Sequence, residues 1–384
     1  VHHFDLQAKG FLRGLAFAGA FLKVWRTEEK SMAEERPLRI IQWATGSIGR
    51  YAISAIHEHS GLELVGVWVH SEAKSGQDAG AIAGIDPIGV IASNDAEALL
   101  ALDADCVLYA PLLSDVDEMC RILESGKNIV TPTGFSFVKD PTLAGRLDAA
   151  CRKGGVSFHG SGIHPGFSGD RLPIVLSALC RRIDKVTVFE ICDLSQGSES
   201  PEMIKDQLGF GMTAEQAAKE PPALMGVMST IFNESMDMVA AGLGFEIEEY
   251  GHRHEFAVAK QDIPIHVGTI EKGQVAGQHF EYSGLVKGQP VIQFKTYWKM
   301  TNDPELIEPN WPFEGPIEYI VEVEGDPSVR CRLTPIDAET TEPGLVWTAM
   351  NCVNALAPVC AAEVGIRTSL DLPIVRAAGR FQLP

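Results

Sequence analysis

The chain has 384 residues, with 32 Lys and Arg against 51 Asp and Glu for a formal net charge of −19, and 45% of it is hydrophobic. At roughly 150 residues per domain this length predicts two domains with full cores, which excludes a disordered tail or a small disulfide-stapled module. The acidic balance repels phosphate backbones and anionic headgroups, so no nucleic-acid or membrane partner is expected, and any site for an anion must be built locally.

The first segment, Gly10 to Trp25, is apolar but carries Arg13 and Lys23, and Lys23 to Arg26 follow its core where a secretory signal needs small residues. A basic amphipathic surface helix is one reading. The plainer one starts from Met32, which stands just before the first convincing strand. Residues 1–31 then read as an upstream extension, as an early start codon would add, and 1–35 are expected outside the packed fold.

Leu38 to Trp43 is a short run of β-formers, followed by the turn Ala44-Thr45-Gly46-Ser47-Ile48-Gly49 and by Arg50 to Ile56 at helical spacing. Strand, glycine turn and helix in that order suit a diphosphate, which must approach bare backbone N–H groups at a helix N-terminus. Gly46 permits the approach and Gly49 lets the helix pack tightly on the strand. Ala44 stands where the first glycine of G-x-G-x-x-G usually is, so the turn alone is of moderate specificity. Leu62 to Val69, Asp105 to Ala110 and Asn128 to Thr131 read as further buried strands, with a helix at Val116 to Ser125. The alternation predicts an α/β, doubly wound parallel Rossmann sheet with its ligand at the strand C-terminal ends.

The segment after the second strand, His70-Ser71-Glu72-Ala73-Lys74, indicates which dinucleotide is preferred. Ser71 can donate to a 2′-phosphate and His70 and Lys74 can neutralise it, so NADP is favoured; Glu72, placed late for the ribose role, leaves NAD open.

After the strand Val156 to His159 comes Gly160-Ser161-Gly162-Ile163-His164-Pro165-Gly166-Phe167-Ser168-Gly169-Asp170, then the helical Arg171 to Cys180. Its glycines and Pro165 exclude a regular element, so the loop is shaped for close approach to a ligand. His164 is the natural proton carrier there. The alternative is a histidine that hydrogen-bonds the loop to itself. Asp170 and Arg171 read as a helix cap and a local pair.

From Lys185 the pattern changes. Val186 to Ile191 reads as a strand, and Thr213 to Gly244 as helix with a break at Pro221-Pro222. His252 to Lys299, Ile317 to Glu324 and Val329 to Leu333 read as period-2 strands. This predicts a second, α+β domain with an open, mixed, mostly antiparallel sheet, one face of which can meet a second copy. Met225, Met228, Met236 and Met238 read chiefly as helix core. His252 and His254 share a strand face and His266 and His279 are expected on neighbouring strands, but nothing requires the convergent ligands of a metal site, so none is assigned. The eight cysteines include no C-x-x-C and read as reduced thiols of a cytoplasmic protein; no apolar run reaches the roughly 18–20 residues of a membrane span. Gly344 to Gly365 is apolar and helical and must be buried, which points it back at the nucleotide domain and makes 36–165 incomplete alone.

Three blocks, IIQWATGSIG (40–49), GSGIHPGFSGDRLP (160–173) and NCVNALAPVCAAEVGIRTSLDLP (351–373), together resemble the dihydrodipicolinate reductase-like superfamily, in its branch of 2,4-diaminopentanoate dehydrogenases and native amine dehydrogenases. The resemblance covers about residues 36–376 and implies a Rossmann domain, a dimerising α+β domain and hydride transfer between a nicotinamide cofactor and a carbon bonded to nitrogen. It also implies an acidic residue just after the strand Asn128–Thr131, where the amine dehydrogenases handle ammonia. This chain has Thr131-Pro132-Thr133-Gly134-Phe135-Ser136-Phe137 there, without a carboxylate.

The resulting expectation has an extension at 1–35, a dinucleotide-binding domain at 36–165, a substrate and dimerisation domain at 166–340, and a returning helix and tail at 341–384. Residues 44–49 take the diphosphate, His70, Ser71 and Lys74 the 2′-phosphate, and Ala110, Pro111, Thr133 and Gly134 the nicotinamide edge. The substrate is a small or medium, rather apolar amine or imine, and the enzyme a homodimer. A ketone or activated-alkene reductase without ammonia chemistry is the alternative within the class, and a nonenzymatic NADP sensor the alternative outside it.

Overall fold

The computed structural model describes residues 36–197, 201–219, 223–311, 315–336 and 342–380, so the readings of 1–35 and of Pro221-Pro222 lie outside the described residues. From β1 (Leu38–Trp43) the chain alternates strand and helix. α1 (Ser47–His57), β2 (Leu62–Trp68), α2 (Ala79–Ala83), β3 (Ala92–Ser93), α3 (Ala96–Leu100), β4 (Cys106–Tyr109), α4 (Val116–Glu124), β5 (Asn128–Thr131), α5 (Pro141–Gly154) and β6 (Ser157–Gly160) follow. The sheet runs β3-β2-β1-β4-β5-β6, with parallel pairing at β2–β3, β1–β4, β4–β5 and β5–β6. Such strands are covered on both faces and so read as apolar runs; Ile40, Ile41, Val107, Leu108, Ile129 and Phe158 are fully buried. α4 shows why the helices start where they do. Asp115 accepts hydrogen bonds from the Asp117 and Glu118 amides, and the stripe Met119, Ile122, Leu123 is buried below.

α6 (Arg171–Ser177) leads into β7 (Arg182–Asp193). A π-helical turn (Met203–Gln207), α7 (Ala214–Lys219) and α8 (Ala223–Leu243) precede β8 (Glu249–Ala259), β9 (Ile263–Ile265), β10 (Gly268–Ile270), β11 (Val275–Val286), β12 (Gln289–Lys299), β13 (Ile307–Glu308), β14 (Ile317–Asp326) and β15 (Val329–Leu333). The second sheet has the order β13-β8-β11-β12-β7-β14-β15 and is antiparallel except for the parallel pair β12–β7. Phe232, Met236, Val239 and Ala240 of α8 pack into one core with Phe280, Tyr282 and Phe294 of the sheet. His266 departs from expectation. β9 and β10 are too short to extend the sheet and pair only with each other, so His266 falls in the turn between them, where its Nδ1 lies 3.0 Å from the Ser195 carbonyl oxygen.

α9 (Glu342–Cys360) returns to the first sheet as its apolarity requires, packing against α1, β4, β5 and β6. β16 (Gly365–Ile366) then adds a seventh, parallel strand beside β6, too short to be read from the sequence. Among the described residues no helix is long and apolar enough to cross a membrane.

Candidate active site

Trp43 closes β1 stacked on Trp68 at the end of β2, with ring centroids 5.1 Å apart. The chain then turns at Ala44, whose φ of +73° lies in the left-handed region that favours glycine, and whose N–H donates to the Trp68 carbonyl at 3.0 Å. Gly46 is the N-cap of α1 with no side-chain cap, so the first amides of that helix stay open. A Cβ on Gly46 would meet nothing within 4 Å, whereas one on Gly49 would stand 2.3 Å from the Ala44 carbonyl oxygen. The first glycine leaves an approach clear; the second lets the helix sit directly on the turn.

Of the expected cofactor residues, Lys74 contacts this turn and Ala110 the end of β1. Lys74 Nζ donates to the Thr45 carbonyl (3.2 Å) and lies 3.3 Å from Thr45 Oγ1. His70 and Ser71 are exposed just past β2, His70 edge-on to Trp68. Glu72 accepts a hydrogen bond from Asn94 Nδ2 at 2.8 Å. The Ala110 amide donates to the Trp43 carbonyl at 2.9 Å, placing Ala110 and Pro111 beside the turn. Thr133 and Gly134 lie on the loop after β5, with the Thr133 and Thr131 hydroxyls 2.8 Å apart. Open amides, a bare Gly46 and a nearby ammonium fit the diphosphate of a dinucleotide.

The loops after β5 and β6 touch through Gly160, where a Cβ would fall 2.4 Å from the Gly134 oxygen. Asp170 caps α6 and also holds the crossover loop, since its carboxylate accepts from the Arg171 amide (2.5 Å), the Gly166 amide (2.8 Å) and Ser235 Oγ (3.3 Å). Burial pushes this carboxyl up, while the amides and Arg171 pull it back. Arg171 in turn donates to the Gly166 carbonyl (2.8 Å) and to Asn351 Oδ1 on α9 (2.6 Å).

The His164 side chain is 1% exposed, with Nδ1 2.6 Å from Glu190 Oε2 on β7. Phe232, Phe294 and Tyr319 surround the ring, and Trp298 Nε1 donates to the other Glu190 oxygen at 3.3 Å. Nε2 is buried without a partner, and a Cβ on Gly169 would stand 2.7 Å from it. The ring thus ties the crossover loop to β7 and does not bond the loop to itself.

Two carboxylates here escaped sequence reasoning, Glu190 and Glu234. Glu190 interrupts the apolar strand Val186–Ile191, which was the available signal, whereas Glu234 lies off the Phe232–Met236–Val239 stripe and left none. Glu234 faces the loop after β5, where a Cβ on Gly134 would lie 3.1 Å from Ile231 Cγ1 and 3.8 Å from Glu234 Oε2. That oxygen is sealed from solvent and has no partner. Burial pushes the Glu234 carboxyl up to about 7, with Asp237 adding to the rise against the pull of the Phe135 and Ser136 amides. A separate cavity of about 370 Å³, lined by Ile163, Phe167, Trp347, Met350 and Asn351 among others, includes none of 44–49, 131–136 or His164 in its wall.

A doubly wound parallel sheet with an open helix N-terminus at its switch point, crossing over to a second sheet, defines an NAD(P)-dependent oxidoreductase. Residues 40–149 match the dihydrodipicolinate reductase N-terminal family and 167–381 the 2,4-diaminopentanoate dehydrogenase C-terminal domain. An amine dehydrogenase of Streptomyces virginiae is 30% identical over 366 residues, 89% of this chain and 98% of its own length. The 2,4-diaminopentanoate dehydrogenase of Acetoanaerobium sticklandii is 27% identical over 68% of this chain and 70% of its own. The solved amine dehydrogenase of Mycobacterium smegmatis, 22% identical, shares the fold with a TM-score of 0.73 over 90% of this chain and 98% of that one. The chain belongs to this family of 2,4-diaminopentanoate and amine dehydrogenases.

Proposed function

We propose that the protein is an NADP-preferring amine dehydrogenase for small or medium, rather apolar amines, which it converts reversibly into ketones or aldehydes and ammonia. The observation that carries this reading is the 30% identity to the Streptomyces virginiae amine dehydrogenase along 98% of its length. When bound, the nicotinamide supplies the hydride acceptor. The turn 44–49 with the open amides of α1 holds the diphosphate, and Ala110, Pro111, Thr133 and Gly134 line the nicotinamide edge. His70, Ser71 and Lys74 serve the 2′-phosphate. The engagement of Glu72 by Asn94 favours this over NAD, because the carboxylate is not left free for a ribose 2′-hydroxyl. His164, tied to Glu190 and walled by aromatic rings, positions the crossover loop and keeps water from the second sheet.

In this reading residues 36–165 form the cofactor domain and 166–340 the substrate and subunit domain, with 341–384 returning to the first. A homodimer uses the sheet face opposite α8, where Lys295 Nζ lies 5.9 Å over the Phe189 ring and His279 stacks on Tyr297. The location is cytoplasmic, consistent with eight free cysteines.

The test is absorbance of the reduced nicotinamide across a panel of ketones, with NADPH or NADH, with and without ammonium. The reading requires consumption of NADPH that depends on ammonium and exceeds that of NADH. Ketone reduction in the absence of ammonium would instead identify a carbonyl reductase.

A further inference from the structure

We propose that Glu234 is the catalytic residue that exchanges a proton with the substrate nitrogen, a carboxyl that α8 delivers to the loop after β5. This rests on the amine dehydrogenase reading. Residues 131–138 contain no ionisable side chain, so a proton acceptor at that loop must come from another element. Among the described residues, the buried polar atoms without a partner include only one carboxylate oxygen and one imidazole nitrogen, Glu234 Oε2 and His164 Nε2. The imidazole lies inside a wall of Phe232, Phe294 and Tyr319 with its other nitrogen held by Glu190, away from the loop after β5. The carboxylate faces Gly134, next to Thr133 at the C-terminal end of β5, where a doubly wound sheet presents its ligand.

Gly134 fits this assignment. Its φ of +100° and the 3.1 Å separation between a Cβ there and Ile231 keep the position free of a side chain, so the loop backbone and the carboxyl meet directly. The charged groups nearby are few. Asp237, on the same helix, accepts a hydrogen bond from Lys139 Nζ at 2.9 Å and one from Tyr250, and Asp170 lies beyond Ser235. Burial and the Asp237 charge, against the pull of the Phe135 and Ser136 amides, raise the Glu234 carboxyl to about 7, suited to accepting and returning a proton at working pH.

The step balances as follows. The substrate ammonium R₂CH–NH₃⁺ gives a proton to the Glu234 carboxylate and becomes R₂CH–NH₂. The nitrogen lone pair then forms the C=N bond as the hydride leaves the same carbon for the nicotinamide, giving R₂C=NH₂⁺. Water adds to that carbon and ammonium departs, leaving R₂C=O, while protonated Glu234 returns its proton to solvent.

The experiment compares full-length wild type, Glu234→Gln and Glu234→Asp by kcat/KM for amine oxidation across neutral pH and by calorimetry with NADP. Wild type is expected to gain activity as pH rises through about 7. Glu234→Gln is expected to lose about 100-fold or more in rate, and with it this rise, while still binding NADP. Glu234→Asp, which keeps a carboxylate one methylene further back, is expected to fall between them and to retain a pH-dependent rise. Undiminished turnover in folded Glu234→Gln, or an unchanged pH profile, overturns the assignment; should that variant fail to bind NADP, wild-type behaviour of Glu234→Asp does so. A wild type that binds NADP yet oxidises no amine removes the amine dehydrogenase reading itself, and this inference with it.

Discussion

Ala44 holds the turn after β1 in a conformation that costs an L-residue about 1–2 kcal/mol and a glycine almost nothing. Its amide is bonded to Trp68 and its carbonyl accepts from Gln42 Nε2 at 2.9 Å, so the backbone is held on both sides. Ala44→Gly is therefore expected to raise stability by about 0.5–1 kcal/mol, the relief of strain exceeding the greater freedom of glycine in the unfolded chain. Urea unfolding would register this as a higher midpoint, with NADP affinity unchanged; a lower midpoint would mean that the turn is not strained. The uncapped helix start at Gly46 and the close packing at Gly49 were legible in the sequence because strand, turn and helix follow one another along the chain. Glu234 was not, since it matters only through packing against a loop that precedes it by half a domain. The acidic residue missing after β5 could be seen in the sequence, but not the carboxyl that faces the same loop.

At the scale of elements, α8 joins the two loops on which the site depends. Phe232 and Ser235 face the crossover loop, through the His164 ring and Asp170, while Ile231 and Glu234 press on the loop after β5. Asp237, one turn beyond Glu234, is anchored by Lys139 from the segment after that loop and by Tyr250 from β8. The helix was predicted by its spacing, but which of its faces serves which loop follows from the sheet order, which brings β11–β12 beneath it. Asp237 is also the like charge that helps hold the Glu234 carboxyl up. Asp237→Asn removes that charge, so the carboxyl should ionise at lower pH and the rise in amine oxidation should shift below about 7. The loss in stability should be modest, about 1 kcal/mol, because Asn can still accept a hydrogen bond and Lys139 is half exposed. A profile that stays in place would show that the titrating group is not beside Asp237.

For the whole molecule, the decisive feature is that the first sheet is completed by the end of the chain. α9 buries Ala349, Cys352, Val353, Leu356 and Val359 against α1 and the β4–β6 strands. Beyond it, Ser157 Oγ donates to the Glu363 carbonyl, the Gly365 and Arg367 amides donate to the Val156 and Phe158 carbonyls, and the His159 ring bonds the Arg367 carbonyl. Fully burying each large aliphatic side chain contributes about 1.5–3 kcal/mol, so Val353, Leu356 and Val359 alone approach the roughly 5–15 kcal/mol net stability of a typical domain. Residues 36–165 expressed alone would expose that face of α1, leave β6 an unpaired edge and lose the partners of Ser157 and His159. The expected result is a fragment with no cooperative denaturant transition and no calorimetric response to NADP, whereas the full chain shows both. A cooperative, cofactor-binding fragment would mean that α9 and β16 only cover a sheet that is already complete. Their loss would then weaken the site through Arg171 and Asn351, which tie α9 to the crossover loop, and not through the cofactor turn.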